Sequence, residues 1–308
     1  MYQAKDFIET TQGLLFAVVM AGVEAGKVRC FLRYIQIDQH WQKVNTETAN
    51  QYLVTNFPQY LFYSNQLDAQ LHGVELSQIV SHYSPQKSLQ ILLQQVPNDP
   101  VIADLQQLCG LLVEQGIDLQ QIGITGSCLL GLQNHHSDID LICYHRSEFQ
   151  RLRNVVQSLI ASNDCQNLAD ADWLEAYQRR NCDLSLDDYI WHEQRKYNKA
   201  LINQRKFDLS LLVPSQTANC QFQKLGLIKL QAKVIDDQFS FDYPAEFLID
   251  DAEIERVVCF TATYSGQAVN GEQIAIAGQL EQDQFGAKRI VVGSNREAQG
   301  EYIKVIHG

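Results

Sequence analysis

The tightest constraint on this chain is the run GSCLLGLQNHHSDID at residues 126–140. Ahead of it, Ile122, Ile124 and Thr125 form a short β-prone run. Behind the Gly-Ser pair, Cys128, Leu129, Leu130 and Leu132 have the spacing of one or two helical turns. A strand therefore turns into a helix at Gly126 and Ser127, and a second strand, SDIDLICY, follows shortly after. Asp138 and Asp140 sit two apart, so on a strand their carboxylates leave the same face and can converge on one cation. Hard oxygen ligands at that spacing suit Mg²⁺, which keeps most of its waters and is held by one or two carboxylates plus substrate phosphate oxygens. Glycine lets the backbone come close to a ligand, free amides at a helix start favour a phosphate, and the serine hydroxyl adds a rotatable donor.

This order of strand, Gly-Ser at a helix start and Asp-x-Asp strand resembles the polymerase β-like nucleotidyltransferase superfamily over Gly123 to Tyr144. Within it, the whole chain is similar to a little-characterised group of predicted nucleotidyltransferases. That closer likeness rests on YIWHEQRKYN (Tyr189 to Asn198), on FDLSLLV and on the tail NREAQGEYI, and it carries no substrate. The resemblance implies an α+β fold, with a mixed sheet and helices at the centre. It also implies a third metal carboxylate on a later, neighbouring strand. Asp208 in RKFDLSLLVP is the candidate, because it opens an apolar run that stops at Pro214, a residue that cannot continue a central strand. Asp183 in NCDLSLDD is the rival. It ranks second because that segment turns acidic after Leu186 and Ser185 reads as a helix N-cap.

The activity implied by the likeness is nucleotidyl transfer. Gly126 and Ser127 would orient the triphosphate of an NTP such as ATP. Asp138, Asp140 and Asp208 would hold two Mg²⁺ ions, with Mn²⁺ as a substitute, while a nucleoside monophosphate passes to an acceptor and pyrophosphate leaves. The acceptor (small molecule, protein or RNA end) is not written in the sequence. The alternative reading is a catalytically silent protein on the same fold that senses nucleotide or binds a partner or RNA.

The remainder of the chain divides into an N-terminal α+β segment (residues 1–98), a nucleotidyltransferase core with a helical insertion (99–215) and a β-rich domain (216–308). Gly13 to Val23, Lys27 to Ile37 and Trp41 to Val44 read as strands, and Thr46 as the N-cap of a helix through Asn56. Arg29, Arg33, His40 and Lys43 fall on these strands, where solvated side chains are the expectation. Pro85 to Val96 and Asp99 to Gln115 carry helical spacing, with Gly116 as C-cap. Glu148 to Ala161 is a helix with an apolar stripe. On Asp187 to Asn203, a helix would put His192, Arg195, Lys196 and Lys199 on one face, so Arg195, Lys196 and Lys199 are candidate nucleotide contacts, although Glu193 interrupts the patch. His135 and His136 read as a polar loop.

From residue 216 onward, short β-prone runs include Lys224 to Val234, Gln238 to Phe241, Arg256 to Tyr264 and Glu272 to Leu280. Their spacing predicts a small barrel or sandwich, with Lys288, Arg289 and Arg296 as local charge. Eight scattered cysteines with no C-x-x-C, Cys220 among them, suggest neither a zinc clip nor a redox pair, and point to a reducing cytoplasm. The apolar run Leu14 to Val23 is too short to span a bilayer, so no membrane association is expected. A net charge of −12 opposes strong duplex DNA binding by the molecule as a whole.

Overall fold

The computed structural model describes residues 2–65, 69–97, 99–213, 222–294 and 299–306. Pro214, Cys220, Arg296 and the expected domain joins at 98/99 and 215/216 lie outside or at the edge of these residues. The chain forms two compact units, Met1–Ile142 and Cys143–Gly308.

The first unit begins with strands β1 (Phe7–Thr10), β2 (Leu14–Glu24), β3 (Lys27–Ile37) and β4 (His40–Lys43), then helix α1 (Thr46–Asn56), then β5 (Leu61–Ser64), β6 (Ala69–Glu75) and β7 (Ile79–Tyr83). The long hairpin β2–β3 reverses at Ala25 and Gly26, both at positive φ, and this backbone suits a tight turn between twisted strands. These strands form one seven-stranded sheet in the order β5-β6-β3-β2-β1-β7, with β4 paired to β3. Asn45, one residue before the expected cap, closes α1 by accepting from the Thr48 N–H at 2.8 Å. One face of the sheet buries Ile8, Leu14, Phe16, Val28 and Leu32 against Ala49 and Leu53 of α1.

Helices α2 (Pro85–Gln94) and α3 (Pro100–Glu114) follow, the second capped by Asp99, which accepts from the Ile102 N–H at 3.0 Å, and ended by Gly116 at positive φ. Strand β8 (Ile122–Thr125), the single-turn helix α4 (Gly126–Leu129) and β9 (Ile139–Cys143) complete the unit, with β9 running one residue past its end. Gly123 is required on β8. A Cβ there would meet Cβ of Pro85 at 2.7 Å, so α2 packs directly on the strand backbone.

The second unit opens with α5 (Arg146–Ala161), α6 (Asp170–Arg180) and α7 (Leu186–Gln194), followed by the hairpin β10 (Lys199–Ile202) and β11 (Arg205–Leu211). Helix α7 stops at Gln194 rather than running to Asn203, and Tyr197 at φ 51 turns the chain into β10. The β-rich part comprises β12 (Phe222–Asp236), β13 (Ala245–Asp250), β14 (Ile254–Cys259), β15 (Gln273–Asp283), β16 (Lys288–Val292) and β17 (Tyr302–Val305). The strand order is β12-β13-β14-β16-β15-β17, and β12 also pairs with β15 along most of its length, so the sheet closes on itself as a ring. Its interior holds Val234, Phe247, Val257, Ile276, Ile290 and Ile303, covered by Trp173 of α6 and Tyr189 of α7. Gln238 to Phe241, expected as a strand, is a turn. There Phe241 stacks under the Arg153 guanidinium, 4.0 Å from its ring centre, and Asp242 takes a two-pronged ion pair from Arg146.

Candidate active site

In the first unit, the Gly-Ser turn and the Asp-x-Asp segment are laced together. Ser127 Oγ donates to Ser137 Oγ at 3.1 Å, and Ser137 Oγ also accepts from the Asn134 N–H at 3.0 Å. The Cys128 thiol faces the carbonyl of Asp138 at 3.9 Å. Asn134 Oδ1 takes the His136 N–H at 2.9 Å, so residues 134–137 form a closed turn that sets the entry angle of β9. Gly126 has φ 68, and a Cβ placed on it would lie 2.5 Å from Oδ2 of Asp140. Only glycine allows that approach.

One expectation is corrected here. Asp138 precedes β9 and is exposed, so only Asp140 stands on the strand proper. Helix α4 is a single turn, within the one or two turns expected, so its dipole is short.

Sequence reasoning did not single out Tyr34. This β3 residue packs with Phe7, Leu15 and Leu129. Burial raises the pKa of its hydroxyl; the Arg33 charge opposes that, and the negative charge of Asp140 adds to it. Asp140 thus acts electrostatically on the N-terminal sheet, a link between residues more than a hundred positions apart that no local pattern displays. Arg29, by contrast, is buried against Glu24 at 3.5 Å and the Ala21 carbonyl at 2.6 Å.

In the second unit, Asp208 lies on β11 opposite Lys199, between the buried Phe207 and Leu209. The N–H of Leu212, just past β11, donates to the carbonyl of Cys143, the last residue of β9, at 2.8 Å. Asp183 stands in the link between α6 and α7, and its Oδ2 accepts from the Gly300 N–H at 2.6 Å. Among the described residues, no group of three or more His, Cys, Asp or Glu side chains is placed to hold a metal ion.

The basic residues after α7 do not share a helical face. Lys196 is 2% exposed, with its ammonium 2.5 Å from Glu193 and 2.9 Å from the Thr263 carbonyl. Lys199 pairs with the other oxygen of Glu193. Burial alone would raise the Glu193 carboxyl, but the two ammonium groups outweigh it and hold its pKa near 2. Arg195 pairs with Glu272 at 2.5 Å and lies 4.4 Å over the Trp191 ring. His192 donates through Nδ1 to the Asp188 carbonyl at 2.6 Å and accepts the Val305 N–H at Nε2 at 3.0 Å. The expected phosphate-facing patch is therefore corrected to a set of internal contacts, because the helix ends early and Glu193 draws both lysines inward. His135 and His136 lie in the exposed turn before β9, their rings 3.8 Å apart.

The nucleotidyltransferase domain family model matches residues 111–224, which span β8, α4, β9 and β11. Over 98% of its length and 98% of the relative's, the chain is 31% identical to an uncharacterised protein of Methanocaldococcus jannaschii. No solved structure matches. The chain belongs to the nucleotidyltransferase domain family, within a lineage that includes that archaeal protein. No helix among the described residues is long and apolar enough to cross a membrane.

Proposed function

We propose that the protein is a Mg²⁺-dependent nucleotidyltransferase that moves a nucleoside monophosphate from an NTP to an acceptor and releases pyrophosphate. The observation that carries this reading is the close approach of Gly126 and Asp140, which sets the Gly-Ser turn directly against a carboxylate. The donor set suits a hard divalent cation, because the acidic candidates offer carboxylate oxygens without thiolate or imidazole.

In this reading, Asp138 and Asp140 would hold the metal together with substrate phosphate oxygens, and Asp208 is the proposed third carboxylate. Asp208 is favoured over Asp183 because it stands on a strand whose end is tied to Cys143. Bound there, the ion would neutralise phosphate charge and polarise the reacting phosphorus. The chain's own work is to bind and orient. Amides at residues 126 and 127 would receive the triphosphate, the Ser127 hydroxyl would rotate from Ser137 to donate to it, and the closed turn at 134–137 would hold the carboxylate segment in place. Transfer would join the acceptor oxygen to the α-phosphorus as the bond to pyrophosphate breaks.

Pyrophosphate release from ATP, GTP, CTP and UTP, measured with a panel of candidate acceptors and with Mg²⁺ or Mn²⁺, tests the proposal. Metal-dependent release that disappears in an Asp138→Asn, Asp140→Asn variant supports it. Nucleotide binding without release under every acceptor would leave the silent, nucleotide-sensing reading in its place.

A further inference from the structure

The second unit contains a cleft of about 710 Å³, within the range that encloses small ligands. Its walls come from the end of α6, the segment after β14, strands β15 and β16, and the start of the turn after β16. None of the Asp-x-Asp or Gly-Ser residues lines it.

The charges in the cleft are unevenly satisfied. Glu281, 7% exposed, receives Nε and Nη2 of Arg289 at 3.0 and 2.8 Å. Glu301, 3% exposed, receives the N–H groups of Gly293 and Ser294 at 2.7 and 2.9 Å together with the Ser294 hydroxyl. Both carboxylates in the lining are thus engaged by their neighbours, which argues against a cation as occupant. Arg180, the last residue of α6, interacts with the Tyr189 hydroxyl but forms no ion pair with a carboxylate among the described residues, and its guanidinium is a planar fork suited to phosphate oxygens.

The lip of the cleft is aromatic. Tyr243 is 67% exposed and Phe260 is 39% exposed, with ring centres 6.3 Å apart at 89°, an edge-to-face arrangement that leaves a ring face open for stacking. Thr261 and Thr263, whose hydroxyls lie 3.3 Å apart, also line the cleft and supply donor and acceptor groups.

From this combination we infer that the cleft binds a nucleotide unit, its base stacked on Phe260 or Tyr243, its sugar hydroxyls at Thr261 and Thr263, and its phosphate at Arg180. The unit is either a free mononucleotide or the terminal nucleotide of an RNA chain, since both offer the same base, ribose and phosphate. The inference does not depend on transfer at the Gly126 turn, because binding here requires neither metal nor turnover.

Calorimetric titration of the full chain in metal-free buffer, with AMP in one arm and a short oligoadenylate carrying a 5′-phosphate in the other, tests it. Saturable binding is expected to persist in the Asp138→Asn, Asp140→Asn variant, which leaves this cleft intact. It should weaken by about tenfold in Arg180→Gln and again in Phe260→Ala, the ~1.4 kcal/mol expected for one lost stacking or phosphate contact. Circular dichroism confirms that each variant is folded, and Phe260→Leu, which keeps bulk but removes the ring, substitutes for Phe260→Ala if that variant is not. Comparable affinity for both probes identifies a free nucleotide as sufficient, and markedly tighter oligonucleotide binding identifies an RNA end. Absence of binding by both probes, binding indifferent to Arg180 and Phe260, or binding lost with the two aspartates would each overturn the assignment.

Discussion

Oδ2 of Asp140 occupies the space a side chain on Gly126 would need, 2.5 Å from the position of its missing Cβ. The glycine and the aspartate are fourteen residues apart in sequence, yet each restricts what the other can be. Gly126→Ala is expected to cost ~1–3 kcal/mol through its positive φ and the collision with Asp140, and to remove pyrophosphate release at temperatures where the variant remains folded. Thermal unfolding and the release assay, run on the same preparation, check both halves. A stable, active alanine variant would sink the role given to this contact.

Asp140→Asn should behave differently. It keeps the shape and removes the charge, so stability should hold or rise slightly while turnover falls below about a tenth of wild type, because metal-assisted charge stabilisation is usually worth several kcal/mol. Activity above that level counts against metal ligation by Asp140. The same variant should also lower the pKa of the Tyr34 hydroxyl, since the aspartate charge is one of the causes that raise it.

Acid should weaken the fold through two buried histidines. Burial holds the imidazoles of His72 and His192 near a pKa of 4, against an ordinary 6.5. Between those values the unfolded chain binds more protons than the folded one, so stability rises with pH across the window and is lost as pH falls from 6.5 toward 4. Each histidine contributes on the order of 3 kcal/mol at most. Urea midpoints at about pH 7 and pH 5 measure the loss, and His192→Gln should flatten part of it. Equal midpoints at the two pH values would contradict the neutral state of both rings.

Lys196→Met tests the reassigned role of the basic segment. With the ammonium gone, Glu193 keeps only Lys199 and the Thr263 carbonyl loses its donor, so a destabilisation of ~3 kcal/mol is expected. The apparent KM for NTP should stay unchanged. A fully stable variant with a raised KM would return Lys196 to the nucleotide.

The strand, Gly-Ser turn and strand of residues 122–143 were legible because everything in them is local: a β-prone run, Gly126 and Ser127, then a second β-prone run. The helix caps at Asp99 and Gly116 were legible for the same reason, since a cap is a hydrogen bond or a backbone angle within a few residues. The short strands Phe7–Thr10 and Leu61–Ser64 were not, because their order comes from partners distant in sequence, such as Tyr83 and His72. The fate of the cations was hidden as well. Arg195 is committed to Glu272 and Lys196 to the Thr263 carbonyl, contacts set by tertiary packing that a helical wheel cannot display.

The ring of strands in the second unit sets an order of events during synthesis. The N-terminal sheet has its last strand once Tyr83 is made, so it can form while most of the chain is still to come. The ring cannot. Strand β12 waits for β15, and β14 reaches β15 only through β16, close to the C-terminus. On a ribosome, β12 and β13 therefore emerge before β15 can pair with β12, and a nascent chain stalled before Lys288 would hold β14 and β15 without the strand that joins them.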